Sequence, residues 1–112
     1  MSLASFKKLM THTLTLRKRQ RNSSGDFSDV SSVVVKGFVE YGNKLITTAK
    51  GEEVKATAIV YLKDDCGIDI SWEYWIIDQS LPYIRNNMEV LTIDPVDDPR
   101  TGNTHHYECG VR

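Results

Sequence analysis

This 112-residue sequence predicts an all-β fold, a small barrel or sandwich of about six short strands. Three observations carry that expectation. Apolar and polar residues alternate with a period of two in several stretches, turn-forming residues punctuate the chain at short intervals, and helical periodicity is almost absent. Short strands with turn signals between them suit a barrel or a pair of packed sheets.

Taken in order, residues 2–10, SLASFKKLM, are the one stretch that could make a short helix, with Ser2 as its N-cap. In residues 10–17, MTHTLTLR, Met10, His12, Leu14 and Leu16 fall on one face and Thr11, Thr13, Thr15 and Arg17 on the other, the pattern of a half-buried strand. Residues 22–32, NSSGDFSDVSS, are polar and turn-rich and read as a surface loop. Residues 33–41 and 54–62 are apolar on more than one face, as expected of strands covered partly on both sides.

Between those two strands lies GNKLITTAKGEE, residues 42–53, where a hairpin needs only a two-residue turn. The segment reads as a protruding loop made of Gly42, Asn43, Lys44, Leu45, Ile46, Thr47, Thr48, Ala49, Lys50 and Gly51, with the glycines as hinges. Further on, Lys63-Asp64-Asp65-Cys66-Gly67 is a turn, and residues 68–77, IDISWEYWII, are one or two strands. Asp78-Gln79-Ser80-Leu81-Pro82 should turn the chain, and residues 83–93 read as a strand with a break at Asn86-Asn87. Residues 94–102, with two prolines and a glycine, read as a loop, and residues 103–111, NTHHYECGV, as the last strand.

Length fits one domain spanning residues 1–112. No stretch reaches the roughly 20 apolar residues of a membrane-spanning helix, and the N-terminus lacks the apolar core of a secretory signal. A cytosolic product is therefore expected. Cys66 and Cys109 are too few for a disulfide framework. Charge is unevenly spread. Residues 1–25 carry Lys7, Lys8, Arg17, Lys18, Arg19 and Arg21 and no acid, whereas residues 26–112 carry 15 acids against 8 bases. Such a two-faced molecule could present Arg17, Lys18, Arg19 and Arg21 to nucleic acid, or to an acidic face on a neighbouring protein, including another copy of itself.

Signals for chemistry are weak. His105 and His106 are adjacent, so on a regular strand their rings point to opposite faces and share a metal poorly. The acids at Asp94, Asp97 and Asp98 do not follow the spacing of a calcium loop. No nucleophile elbow or phosphate-cradling glycine loop is present, so neither a catalytic role nor a cofactor is expected. Trp72, Tyr74 and Trp75 could stack bases, but Trp75 takes the opposite strand face, which favours a core role.

Two stretches nevertheless resemble a known family. GFVEYGNKLITTAKGEEVKATAIVYLKDDCGI, within which a Lys-Gly-Glu-Glu-Val run leads into an alanine-rich strand ending in Tyr-Leu, and the C-terminal DPVDDPRTGNTHHYECGVR are similar to the head-closure, or stopper, proteins of long-tailed bacteriophages, also called head–tail connector proteins. The Asp-Gly turn common in the middle of that family is missing from SWEYWIIDQSLPYI. The resemblance implies a small β-barrel assembled as a ring, twelve-fold by suggestion, between the portal–adaptor complex and the tail proteins. In such a ring the 42–51 loop points into the channel and helps to hold packaged DNA, with Lys44 and Lys50 facing phosphates. It also implies a virion location, with the host cytoplasm before assembly. The alternative reading is a stand-alone nucleic-acid-binding β-barrel.

Overall fold

The computed structural model describes residues 8–48, 50–72 and 74–112. It is all-β, with six antiparallel strands: β1 (His12–Arg21), β2 (Phe27–Thr47), β3 (Glu53–Lys63), β4 (Trp75–Leu81), β5 (Arg85–Asp97) and β6 (Thr104–Val111). Their lateral order is β1-β2-β3-β6-β5-β4, and β4 pairs back onto β1 to close the sheet into a barrel. The helix expected at residues 2–10 falls mostly outside the described residues, and residues 8 and 9 form a turn.

Alternation builds the core. Leu14 and Leu16 from β1, Val39 from β2, Ala58, Val60 and Leu62 from β3, Ile77 from β4, Met88 from β5, and Cys109 and Val111 from β6 point inward. Burying a leucine or isoleucine of this set stabilises the fold by about 1.5–3 kcal/mol. Cys66 and Ile68, on the connection between β3 and β4, join the same core. Gln79 is the one fully buried polar side chain among the described residues. Its Nε2 donates to the Leu81 carbonyl at 3.0 Å and its Oε1 accepts from the Tyr41 hydroxyl, so neither end is left unpaired.

Several sequence expectations are corrected. Residues 27–32 are not loop but the start of β2, paired with β1 from Arg21↔Phe27 onward. Their polarity reflects exposure on both faces. Asp78, Gln79, Ser80 and Leu81 do not turn but complete β4. Asp94, Pro95, Val96 and Asp97 extend β5 against β6. Pro95 is tolerated because β4 reaches β5 only between Arg85 and Glu89, so past that point β5 is an edge that needs no donor. Of residues 68–77, only the part from Trp75 is strand. The break at Asn86-Asn87 is a bulge, with Asn87 at φ 62°.

Antiparallel closure fixes which turns share an end. The β1–β2 turn, the β3–β4 connection and the β5–β6 turn lie at one end of the barrel. The β2–β3 turn, the β4–β5 turn and the end of β6 lie at the other. Gly37 marks where β2 passes from β1 to β3, with His12 opposite on one flank and Leu62 on the other. A Cβ there would sit 2.6 Å from Leu14 Cδ1 and 2.8 Å from the Tyr61 carbonyl oxygen. Leu14 could shift, but the ladder carbonyl could not. Gly37→Ala should therefore lower unfolding free energy by about 1–3 kcal/mol in a urea titration.

Candidate assembly surfaces

The basic run of β1 is divided by the fold. Arg17 is structural: its Nε lies 2.7 Å from Asp78 Oδ2, and its Nη2 donates to Asn87 Oδ1 at 2.7 Å. Asp78 Oδ1 in turn accepts from the Asn87 backbone N–H at 2.7 Å, which holds the bulge of β5. Lys18 turns toward Asp69 at 3.6 Å and lies over the Trp72 ring, 4.4 Å from its centroid. Arg19 Nε lies 3.1 Å from Asp29 Oδ1. Arg21 forms no ion pair among the described residues; its guanidinium lies over the Phe27 ring at 5.0 Å. Of the four candidate interface residues, then, Arg17, Lys18 and Arg19 already face carboxylates of their own chain.

Phe27 gives no signal in the sequence, because it sits within the polar stretch NSSGDFSDVSS. In the fold it meets Tyr74 edge-on, with centroids 4.9 Å apart. With Arg19, Arg21, Ile76 and Glu89 these rings line a half-open cleft of about 410 Å³. Trp72 does not join that surface, and Trp75 only backs it from the core. Trp75 is buried and donates through Nε1 to the Asp69 carbonyl, and Trp72 packs on the core and donates to the Arg19 carbonyl at 2.6 Å.

The segment expected as a protruding loop is partly ladder. Lys44, Leu45, Ile46 and Thr47 pair with Ala56, Lys55, Val54 and Glu53, and Thr48 exchanges turn hydrogen bonds with Gly51 and Glu52. β3 thus supplies backbone partners for Lys44 to Thr47 within the same chain. A bulge at Gly42 and Asn43, with Gly42 at φ 144°, bends the ribbon. Ile46 then packs over the outer side of Gly110, where a Cβ would collide with it and would lie 2.8 Å from Thr92 Oγ1. Thr47 and Thr48 line a groove with Thr92 and Asp94. Leu45 remains exposed. Lys44 is engaged by the Glu40 carboxylate, which raises its pKa, rather than standing free for a phosphate. Gly51 lies in the turn at φ 82°; Ala49 lies outside the described residues.

The two histidines are also rearranged. The register steps from Val96↔His106 to Asp97↔Thr104, so His105 bulges out of the ladder and alternation fails there. The rings consequently meet edge-on, with Nδ1 atoms 2.8 Å apart, instead of pointing to opposite faces. No group of three or more metal-ligating side chains occurs among the described residues. Cys66 and Cys109 are free and buried, and burial pushes both thiols up, away from the reactive thiolate.

Set beside known proteins, the chain matches no family model, no curated protein and no solved structure.

Two outcomes follow from these contacts. Arg17→Ala should cost about 1–3 kcal/mol in chemical unfolding, since it strands Asp78, whereas Arg21→Ala should cost less than about 1 kcal/mol. Burial lowers the pKa of His12 and of His106 below the ordinary 6.5. The unfolded chain then binds protons first as pH falls, so stability is lost progressively below about pH 6.5. His12 Nδ1 accepts the Val39 N–H at 3.0 Å. His12→Asn, whose amide oxygen can accept the same bond, should flatten the fall in Tm between about pH 7 and 5.

Proposed function

We propose that this chain is a structural subunit of the neck of a long-tailed bacteriophage. Copies form a ring between the portal–adaptor complex and the tail, close the DNA channel after packaging, and offer the surface on which the tail docks. Residues 33–62 and 94–112 carry the resemblance behind this reading. The observation that carries it in the fold is the two-ended layout of the barrel. The β2–β3 hairpin, which contains the channel candidates Gly42 to Gly51, leaves one end, and the basic β1–β2 hairpin leaves the other. A ring subunit must present one surface to the channel and another to its neighbours, and this layout keeps them apart.

In this reading the turn closed by Thr48 and Glu52, with Lys50, reaches the channel while the paired part of the hairpin stays anchored over Gly110. The partners are other copies of the chain, the adaptor or portal, a tail protein and packaged DNA; no cofactor takes part. The chain resides in the host cytoplasm before assembly and in the virion neck afterwards. A stand-alone nucleic-acid-binding barrel is the weaker reading, because three of the four basic side chains on β1 are engaged by Asp78, Asp69 and Asp29. Such a barrel would need them free for phosphates.

The test trims only the hairpin tip. Residues 48–52 are replaced by an Asn-Gly turn, which keeps the Thr47↔Glu53 ladder intact. The purified variant should fold as the parent does, while phage heads filled in its presence should lose DNA. Heads that stay full would reduce the segment to an ordinary hairpin, and imaging of virions without a ring of this chain at the neck would remove the assignment.

A further inference from the structure

We propose that copies of this chain bind one another head to tail, the basic β1–β2 hairpin of one copy against the acidic β5–β6 hairpin of the next. The inference rests on the ring reading and specifies its interface. In the cyclic order β1-β2-β3-β6-β5-β4, these two hairpins stand on opposite sides of the barrel, and both leave it at the same end. Co-oriented barrels set side by side therefore bring unlike hairpins together. This is the requirement for a heterologous contact that can close into a ring.

The hairpins are opposite in balance: Arg17, Lys18, Arg19 and Arg21 outnumber Asp26 and Asp29 on the first, and Asp94, Asp97, Asp98 and Glu108 outnumber Arg100 on the second. On β1 the exposed Arg21 has no carboxylate partner among the described residues. On β5, Asp94 stands directly opposite Glu108, a like-charged cross-strand pair with the His106 ring 3.8 Å from Glu108, and Asp97 is exposed at the strand end. Like charges facing across a ladder destabilise it unless a cation comes between them or beside them. Asp98 plays no part, because Arg100 already occupies its carboxylate. Backbone edges match as well as charge. The first half of β2 pairs only with β1, and β5 beyond Glu89 pairs only with β6, so each hairpin exposes an unpaired flank among the described residues. Val30 and Val34 on the first of these are 50% and 67% exposed, so an apolar strip awaits cover.

Sedimentation equilibrium on the purified full chain tests the contact. Self-association should strengthen with protein concentration and weaken at high salt. Arg21→Glu and Asp97→Arg should each weaken it about tenfold or more, and the double variant should recover most of the loss. Unchanged far-UV spectra would assign these effects to the surface. A chain that stays monomeric at millimolar concentration, single variants without effect, or a double variant without recovery would each overturn the interface. If association follows this charge pattern but virions carry no such ring, the interface stands and the neck assignment falls. If a neck ring forms regardless of both residues, the reverse holds.

Discussion

The pairing of β1 with β4 is the contact on which the rest of this molecule depends. Every other ladder joins strands that are neighbours in sequence or that meet through β6; this one turns an open sheet into a barrel. Inside it stand Leu14, Leu16 and Ile77, all fully buried. Outside it stand Arg17 and Asp78, clasping the Asn87 bulge of β5. An arginine between a carboxylate and an amide oxygen forms the stronger, charge-assisted kind of hydrogen bond. It also links β1 to β4 and β5, through partners 61 and 70 residues away in sequence.

Closure of only six strands demands strong coiling, and bulges supply it. Register shifts interrupt β1 against β2, β1 against β4, β2 against β3, β4 against β5, and β5 against β6 twice. The same staggering leaves strand ends that outrun their neighbours. β2 illustrates this best: its 21 residues serve two ladders in succession, changing flank at Gly37. The hairpins that extend past the barrel are thus a geometric result of closing it, and they are also its most exposed surface.

The strands of the core were legible because alternation is a local signal. MTHTLTLR and KATAIVYL announce their inward faces directly. What escaped was set by partners distant in sequence. A polar stretch such as SDVSS reads as loop, yet β1 gives it a ladder although neither face is covered. Pro95 and the Asp-Pro pair read as a turn because sequence does not reveal that β4 has ended before that point. The run Arg17-Lys18-Arg19-Gln20-Arg21 reads as one basic patch, and only the fold shows which charges Asp29, Asp69 and Asp78 take up. The excursion at residues 42–53 is visibly longer than a turn requires. Its resolution as a bent hairpin over Gly110 depends on a glycine more than fifty residues away.

These edges bear on how the chain exists. Folded proteins guard exposed strands with charges, prolines, bulges or a covering element. Here β5 has Pro95 on its open stretch, and β2 has a bulge at Val30 that breaks its pairing register. Neither device covers Val33 and Val34, which are exposed next to each other on a strand with strong β propensity. The charges nearest to them do not neutralise the strip either, since Asp29 is turned to Arg17 and Arg19 and Lys36 donates to Thr13. A monomer would keep this edge open at constant risk of unspecific pairing. A partner that fits it removes the risk and converts the same unpaired groups into the bonds of an assembly.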